Sequence, residues 1–148
     1  MHIKELGHVV LYVTDLEKMR NFYRDTLGFK EIESIMRGAA VFSSGRTHHE
    51  LLLIEIGGEP REKTESEPGL YHIGFKISDS TEELKKAYRE LKEKGVKILG
   101  STDHGITHSL YVADPDGNEL ELYADVSDEW RRDPKAILQP AKYLDLED

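Results

Sequence analysis

The chain has 148 residues and a formal charge of −9, from 29 acidic and 20 basic residues, and it contains no cysteine. That length fits one domain with its own core. The acid excess excludes the basic footprint of non-specific nucleic-acid binding. The missing thiols exclude disulfides, thiolate zinc sites, cysteine nucleophiles and thiolate-held iron–sulfur clusters. A metal held by nitrogen and oxygen stays open, with seven histidines available. No stretch approaches the roughly 18 consecutive apolar residues of a membrane helix. The start, Met1-His2-Ile3-Lys4-Glu5, lacks the apolar core of a secretory signal. The expected setting is therefore cytoplasmic, with neither a membrane nor a nucleic acid as partner.

The predicted elements follow in chain order. His8-Val9-Val10-Leu11-Tyr12-Val13-Thr14-Asp15 is a strand-like run that opens on histidine and ends on a hydroxyl residue and an aspartate. Thr14 and Glu17 have capping-box spacing. Leu16, Met19, Tyr23 and Leu27 recur at helical spacing up to Gly28, which predicts a capped helix. Strands are predicted over Phe29 to Met36, Ala39 to Phe42 and His49 to Ile56, with a turn at Ser43-Ser44-Gly45-Arg46 before the last. Gly57 to Gly69 reads as an exposed linker from its Gly, Pro and charge content.

The pattern then repeats. His72-Ile73-Gly74-Phe75-Lys76-Ile77-Ser78-Asp79 matches the opening strand. Ser80 and Glu83 repeat the capping spacing, Leu84, Ala87, Tyr88 and Leu91 the helix, and Gly95 its end. Strands follow over Val96 to Leu99, His108 to Ala113 and Glu119 to Ala124, with Asp114-Pro115-Asp116-Gly117 as the matching turn. The fold class expected is α+β: two paired βαβββ modules forming a cupped, barrel-like mixed β-sheet with helices outside. One domain over 1–125 would hold module 1 (about 5–57), a linker (58–69) and module 2 (about 70–125). Residues 126–148 form a tail, with a turn or short helix at 128–134 and partial order from Tyr143 onward.

Strand alternation sorts the side chains. Val9, Leu11 and Val13 are expected under the first helix, and Ile73, Phe75 and Ile77 under the second. His8, Val10 and Tyr12, and likewise His72, Gly74 and Lys76, take the opposite, concave face. Leu120, Leu122 and Ala124 are apolar, so Glu119, Glu121 and Tyr123 face away from the helix. Leu52, Ile54 and Ile56 are assigned to the helix side, which puts His49, Leu51 and Leu53 on the concave side. Four residues past each turn glycine lie His49 and Glu121, which the repeat then makes equivalent, as it does His8 and His72. Three histidines and a glutamate on one face are ligand types for a divalent transition metal. Glu119 competes with Glu121 on that face. His2 reads as a terminal residue and His108 as structural.

These residues resemble the vicinal oxygen chelate superfamily over about residues 5 to 125. The segment from His104 through Tyr111 and Asp114-Pro115-Asp116-Gly117 to Glu121 is similar to the signature of catechol 2,3-dioxygenase-type extradiol ring-cleavage enzymes. His48-His49-Glu50 and Leu70-Tyr71-His72 resemble two further site strands. The resemblance implies that His8, His72 and Glu121 hold a metal, with His49 as acid/base and His104 and Tyr111 as hydrogen-bond partners of substrate oxygens. It implies Fe(II), with Mn(II) as a substitute, and an aromatic diol and O2 as substrates. It is also compatible with a homodimer. Tyr71 stands where many relatives carry histidine, and alternation points it away from His72. Two alternatives come with the superfamily. A glyoxalase I-like isomerase or thiol transferase would use Ni(II) or Zn(II), the isomerase with a fourth ligand that Glu50 supplies only if a bulge turns it. A metal-free ligand-binding protein would need no such constellation.

Overall fold

The computed structural model describes residues 1–33, 36–61 and 67–147. Ser34 and Ile35 of the second predicted strand, and residues 62–66 of the predicted linker, lie outside the described residues. The elements run β1 (Val9–Val13), α1 (Leu16–Asn21), a π-helical turn (Phe22–Thr26), β2 (Glu31–Ile32), β3 (Ala39–Phe42) and β4 (Leu51–Glu55). The second series is β5 (His72–Ser78), α2 (Thr81–Glu93), β6 (Ile98–Asp103), β7 (Thr107–Ala113), β8 (Glu119–Asp125) and β9 (Lys142–Tyr143).

The described strands form two mixed sheets rather than one closed barrel, in the orders β1-β4-β3-β2 and β5-β8-β7-β6-β9. The architecture is α+β, with the βαβββ pattern present twice. In each sheet the first and last strands of the pattern pair in parallel and the others antiparallel. The chain divides into two compact units. One is Met1–Lys63 with Pro115–Gly117, and the other is Thr64–Asp114 with Asn118–Asp148.

In the first unit Leu11, Val13, Leu51 and Leu53 are buried together with Leu16, Met19, Phe22 and Tyr23. Helical spacing alone predicts Tyr23 but not its neighbour Phe22. The chain widens to a π turn there, where Leu27 N–H donates to the Phe22 carbonyl (3.0 Å) and Phe29 N–H to the Tyr23 carbonyl (2.8 Å). The extra residue in that turn rotates two consecutive aromatics into the core. Capping also differs from expectation. Asp15, not Thr14, is the N-cap, and its side chain accepts from Lys18 N–H. Thr14 donates its amide (2.8 Å) and hydroxyl (2.5 Å) to the Asp116 carboxylate, so the tip of the β7–β8 turn belongs to this unit.

The side assignment of β4 is reversed. Val9 pairs with Leu51 and Leu11 with Leu53, so those leucines share the helix side, where they are buried. Leu52 and Ile54 pair with Val10 and Tyr12 on the opposite face. Leu51-Leu52-Leu53-Ile54 is apolar throughout, so it carries no alternation from which a side could be read.

In the second unit Leu84 and Leu91 of α2 are buried, as are Leu110, Val112, Leu120, Leu122 and Ala124. α2 ends where Gly95 adopts φ +72°. Val96 N–H then reaches the Leu91 carbonyl and Gly95 N–H the Lys92 carbonyl, the Schellman pattern that a left-handed glycine permits. Ile77 is 40% exposed instead of lying under the helix. The β5–β8 register slips between Lys76 and Ser78, and the bulged residue loses its place in the alternation.

The tail is built into the second unit rather than loose. β9 pairs with β6, Ser101 Oγ donates to the Leu144 carbonyl (2.6 Å) and Glu147 accepts from Tyr88 and Lys92 (2.9 Å each). Leu146 is 2% exposed, whereas Leu138 is 77% exposed. Leu146→Ala should therefore cost about 2–5 kcal/mol of unfolding free energy in a urea titration. Leu138→Ala should stay within about 0.5 kcal/mol of wild type. Equal small effects would show that the tail does not contribute to the core.

Candidate functional site

The ladder of the second unit assembles one cluster. β5 pairs with β8 so that His72 stands opposite Glu119 and Gly74 opposite Glu121. β7 pairs with β8 so that Tyr111 stands opposite Glu121 and Ser109 opposite Tyr123. His72, Glu121, Tyr111 and Ser109 thus share the face away from α2. His72 Nε2 lies 3.1 Å from Glu121 Oε2. A Cβ at Gly74 would touch Glu121 Oε2 (3.5 Å) and the Tyr123 ring (3.6 Å), so a larger side chain would take the space these groups use.

The other oxygen, Glu121 Oε1, accepts from Ser109 Oγ (2.6 Å) and from the Tyr111 hydroxyl (3.2 Å). His104 Nε2 is 3.0 Å from that hydroxyl. With the phenol proton given to Glu121, the phenol oxygen accepts from His104, which fixes the Nε2–H tautomer in this arrangement. Burial and the adjacent Glu121 charge push the Tyr111 phenol up to about 12, so it stays a proton donor at neutral pH.

His72 Nδ1 is buried without a hydrogen-bond partner among the described residues, with Glu119 Oε1 3.8 Å away. Tyr71 is brought to the same place. Its phenol hydrogen-bonds Glu119, whose charge raises its pKa, and its ring lies 4.7 Å from that of His72. The expected opposite orientation fails because Tyr71 precedes β5, where strand alternation does not apply.

The first unit holds a second cluster. Ring nitrogens of His8, His48 and His49 lie within 4.8 Å of one another, an arrangement able to hold a metal ion. The His8 and His49 ring centroids are 4.4 Å apart, and His48 Nδ1 is 2.5 Å from His49 Nδ1. Burial, with His8 and His48 beside it, lowers the His49 pKa and favours the neutral imidazole.

His8 and His49, expected on one face, lie side by side together with His48, to which the sequence pattern assigns no role. It also assigns none to Ser109, although strand alternation from Tyr111 places that residue on the site face. The equivalence of His49 and Glu121 is overturned by the register. Val10 pairs with Leu52 where Gly74 pairs with Glu121, so Leu52 is the counterpart of Glu121. The β3–β4 connection runs from residue 43 to 50 and the β7–β8 connection from 114 to 118, eight residues against five. Counting from the turn glycine is therefore three residues out.

Comparison with known proteins converges on one family. The Glyoxalase/Bleomycin resistance protein/Dioxygenase superfamily matches residues 5–122. The chain is 35% identical over 130 residues to the catechol-2,3-dioxygenase of Bacillus subtilis (strain 168), covering 86% of this chain but 44% of that enzyme. It thus spans less than half of that relative. It is 36% identical over 123 residues to the metallothiol transferase FosB of Staphylococcus haemolyticus, covering 82% of this chain and 84% of the relative. Among solved structures, a variant of the fosfomycin resistance protein FosX from Listeria monocytogenes was crystallised with Mn(II) and 1S,2S-dihydroxypropylphosphonic acid. It superposes with a TM-score of 0.68 at 27% identity, covering 90% of this chain and 98% of that one.

The carboxylate beside the histidine cluster is committed elsewhere. Glu50 accepts from Ser44 N–H (2.8 Å), Ser44 Oγ (2.9 Å) and Thr47 N–H (3.3 Å), so it closes its own turn. Burial alone would raise its pKa, but these hydrogen bonds outweigh it and hold the carboxyl below the usual value. The resulting stabilisation is complete above the ordinary carboxylate range and is lost as pH falls through the folded value. Glu50→Gln should lower stability by about 1–3 kcal/mol at pH 7. The deficit should close in acid, as read from urea midpoints between pH 7 and pH 3. A deficit that persists unchanged at pH 3 would show that the charge is not what holds the turn.

Proposed function

The chain belongs to the Glyoxalase/Bleomycin resistance protein/Dioxygenase superfamily, and on that premise we propose that it is a metal-dependent extradiol ring-cleavage dioxygenase acting on a catechol-type aromatic diol with O2. The observation that carries the proposal is the His104–Tyr111–Glu121 hydrogen-bond chain beside the His72–Glu121 pair. It couples a metal-type carboxylate to a phenol and an imidazole suited to substrate oxygens. The proposed ligands are His72 and Glu121, with His8 as the third.

The donor set fits such an ion. His72 Nε2 and Glu121 Oε2 lie 3.1 Å apart, close enough for an imidazole nitrogen and a carboxylate oxygen to share one ion. Nitrogen and carboxylate donors with no thiolate suit Fe(II) or Mn(II). When bound, such an ion supplies open coordination positions and a redox path between an electron-rich diol and dioxygen.

The protein's own groups handle protons and orientation. His49 is the proposed acid/base. Its Nδ1 faces His48, which leaves Nε2 for a substrate hydroxyl, and its lowered pKa favours the form able to accept that proton. Tyr111 donates its phenol proton to a substrate oxygen, and His104 supports the phenol from behind. Leu52, the counterpart of Glu121, offers no ligand atom. That argues against a four-ligand isomerase of the glyoxalase I type. A thiol transferase is the second reading, favoured by the 84% coverage of FosB.

Anaerobic loading with Fe(II), followed by oxygen uptake on adding catechol, tests the assignment. Catechol-dependent uptake with a ring-opened product is expected. Thiol addition to fosfomycin without such uptake would replace this reading with the transferase. His49→Ala should keep its iron and lose about 10²–10⁴-fold in turnover, whereas His72→Ala should lose the iron. Loss of iron from His49→Ala would make His49 a ligand instead.

A further inference from the structure

Ser109 is fully buried on β7, two residues from Tyr111 and on the same face. Its hydroxyl lies 2.6 Å from Glu121 Oε1, shorter than the 3.2 Å contact that the Tyr111 hydroxyl makes with the same oxygen. The two donors differ in what else they can reach. Tyr111 also meets His104 and is partly open, so a bound substrate oxygen can draw its proton away from Glu121. Ser109 stands opposite Tyr123 in the ladder and also hydrogen-bonds the Tyr111 side chain, but it has no exposed surface from which to serve a substrate.

A glutamate carboxylate turns over a broad range about its last torsion. One buried donor on Oε1 removes that freedom. It leaves Oε2, the oxygen facing His72 Nε2 at 3.1 Å, as the one presented outward. We infer that Ser109 is a positioning residue: it locks Glu121 as a single-oxygen ligand and leaves the Tyr111 phenol free for the substrate. This rests on the reading of Glu121 and His72 as metal ligands.

The test is Mn(II) binding to the metal-free full-length chain, read from the loss of the free aquo-ion's electron paramagnetic resonance signal. Thermal melts of the same metal-free samples check folding. Ser109→Ala should weaken Mn(II) binding about 10- to 100-fold, with a melt like that of wild type. Tyr111→Phe, which removes only the longer 3.2 Å contact, should weaken binding clearly less than Ser109→Ala does. Affinity of Ser109→Ala within threefold of wild type overturns the inference. So does equal weakening in Ser109→Ala and Tyr111→Phe. If Ser109→Ala melts far below wild type, Ser109→Cys replaces it under the same thresholds, since it keeps the volume and weakens the hydrogen bond. The underlying ligand assignment fails separately, if wild type does not bind Mn(II) or His72→Ala binds it equally well.

Discussion

The parallel pairing of the first and last strands of each βαβββ pattern is the constraint on which the rest depends. Parallel neighbours cannot be joined by a tight hairpin, so each pattern needs a crossover, and a helix supplies it. That helix covers one face of the sheet and leaves the other for polar groups. In the second unit the pairing also sets position along the strands. With His72 beside Glu119 and Gly74 beside Glu121, an imidazole, two carboxylates and a residue without a side chain meet in one row. A slip of one residue would send Glu121 beneath α2 and bring Leu120 or Leu122 out.

Such a row is costly to maintain. A half-buried carboxylate needs partners, and Glu121 has Ser109, Tyr111 and His72. His72 contributes the opposite imbalance, a buried Nδ1 left without one among the described residues. The cluster is therefore neither fully satisfied nor apolar, the condition in which bound ions and substrates have most to offer. The histidine group of the first unit differs in kind. Three imidazoles crowd one another there, and burial together with its two neighbours disfavours protonation of His49.

How far the amino-acid sequence spoke depended on polarity contrast. Glu119-Leu120-Glu121-Leu122-Tyr123-Ala124 alternates cleanly, and its facing is the one observed. Leu51-Leu52-Leu53-Ile54 has no contrast, and the facing expected for it is the reverse of the one observed. The internal repeat makes His8 and His72 counterparts, one just before β1 and the other at the start of β5. It failed for His49, because the turns that anchor the count differ by three residues while the ladders do not. The π turn at Phe22, the bulge at Ile77 and the burial of Leu146 leave no local mark, since each is decided by packing with residues distant in the chain. Ser109 was visible all along in the strand pattern. Its importance appears only once its partner, Glu121, is seen opposite the neighbouring rung.

The short pairing of β9 with β6 carries a consequence for biosynthesis. β6 ends at Asp103, and the residue that pairs with it, Lys142, is made thirty-nine positions later. At about 5–20 residues per second, that interval is roughly 2–8 seconds, during which the outer rim of the second sheet has no neighbour. Thr102 and Asp103 meet that interval with a short polar stretch at the strand's end, poorly suited to recruiting a stray strand from another nascent chain. The late arrival of Lys142 and Tyr143 then covers that end of the strand from within the chain.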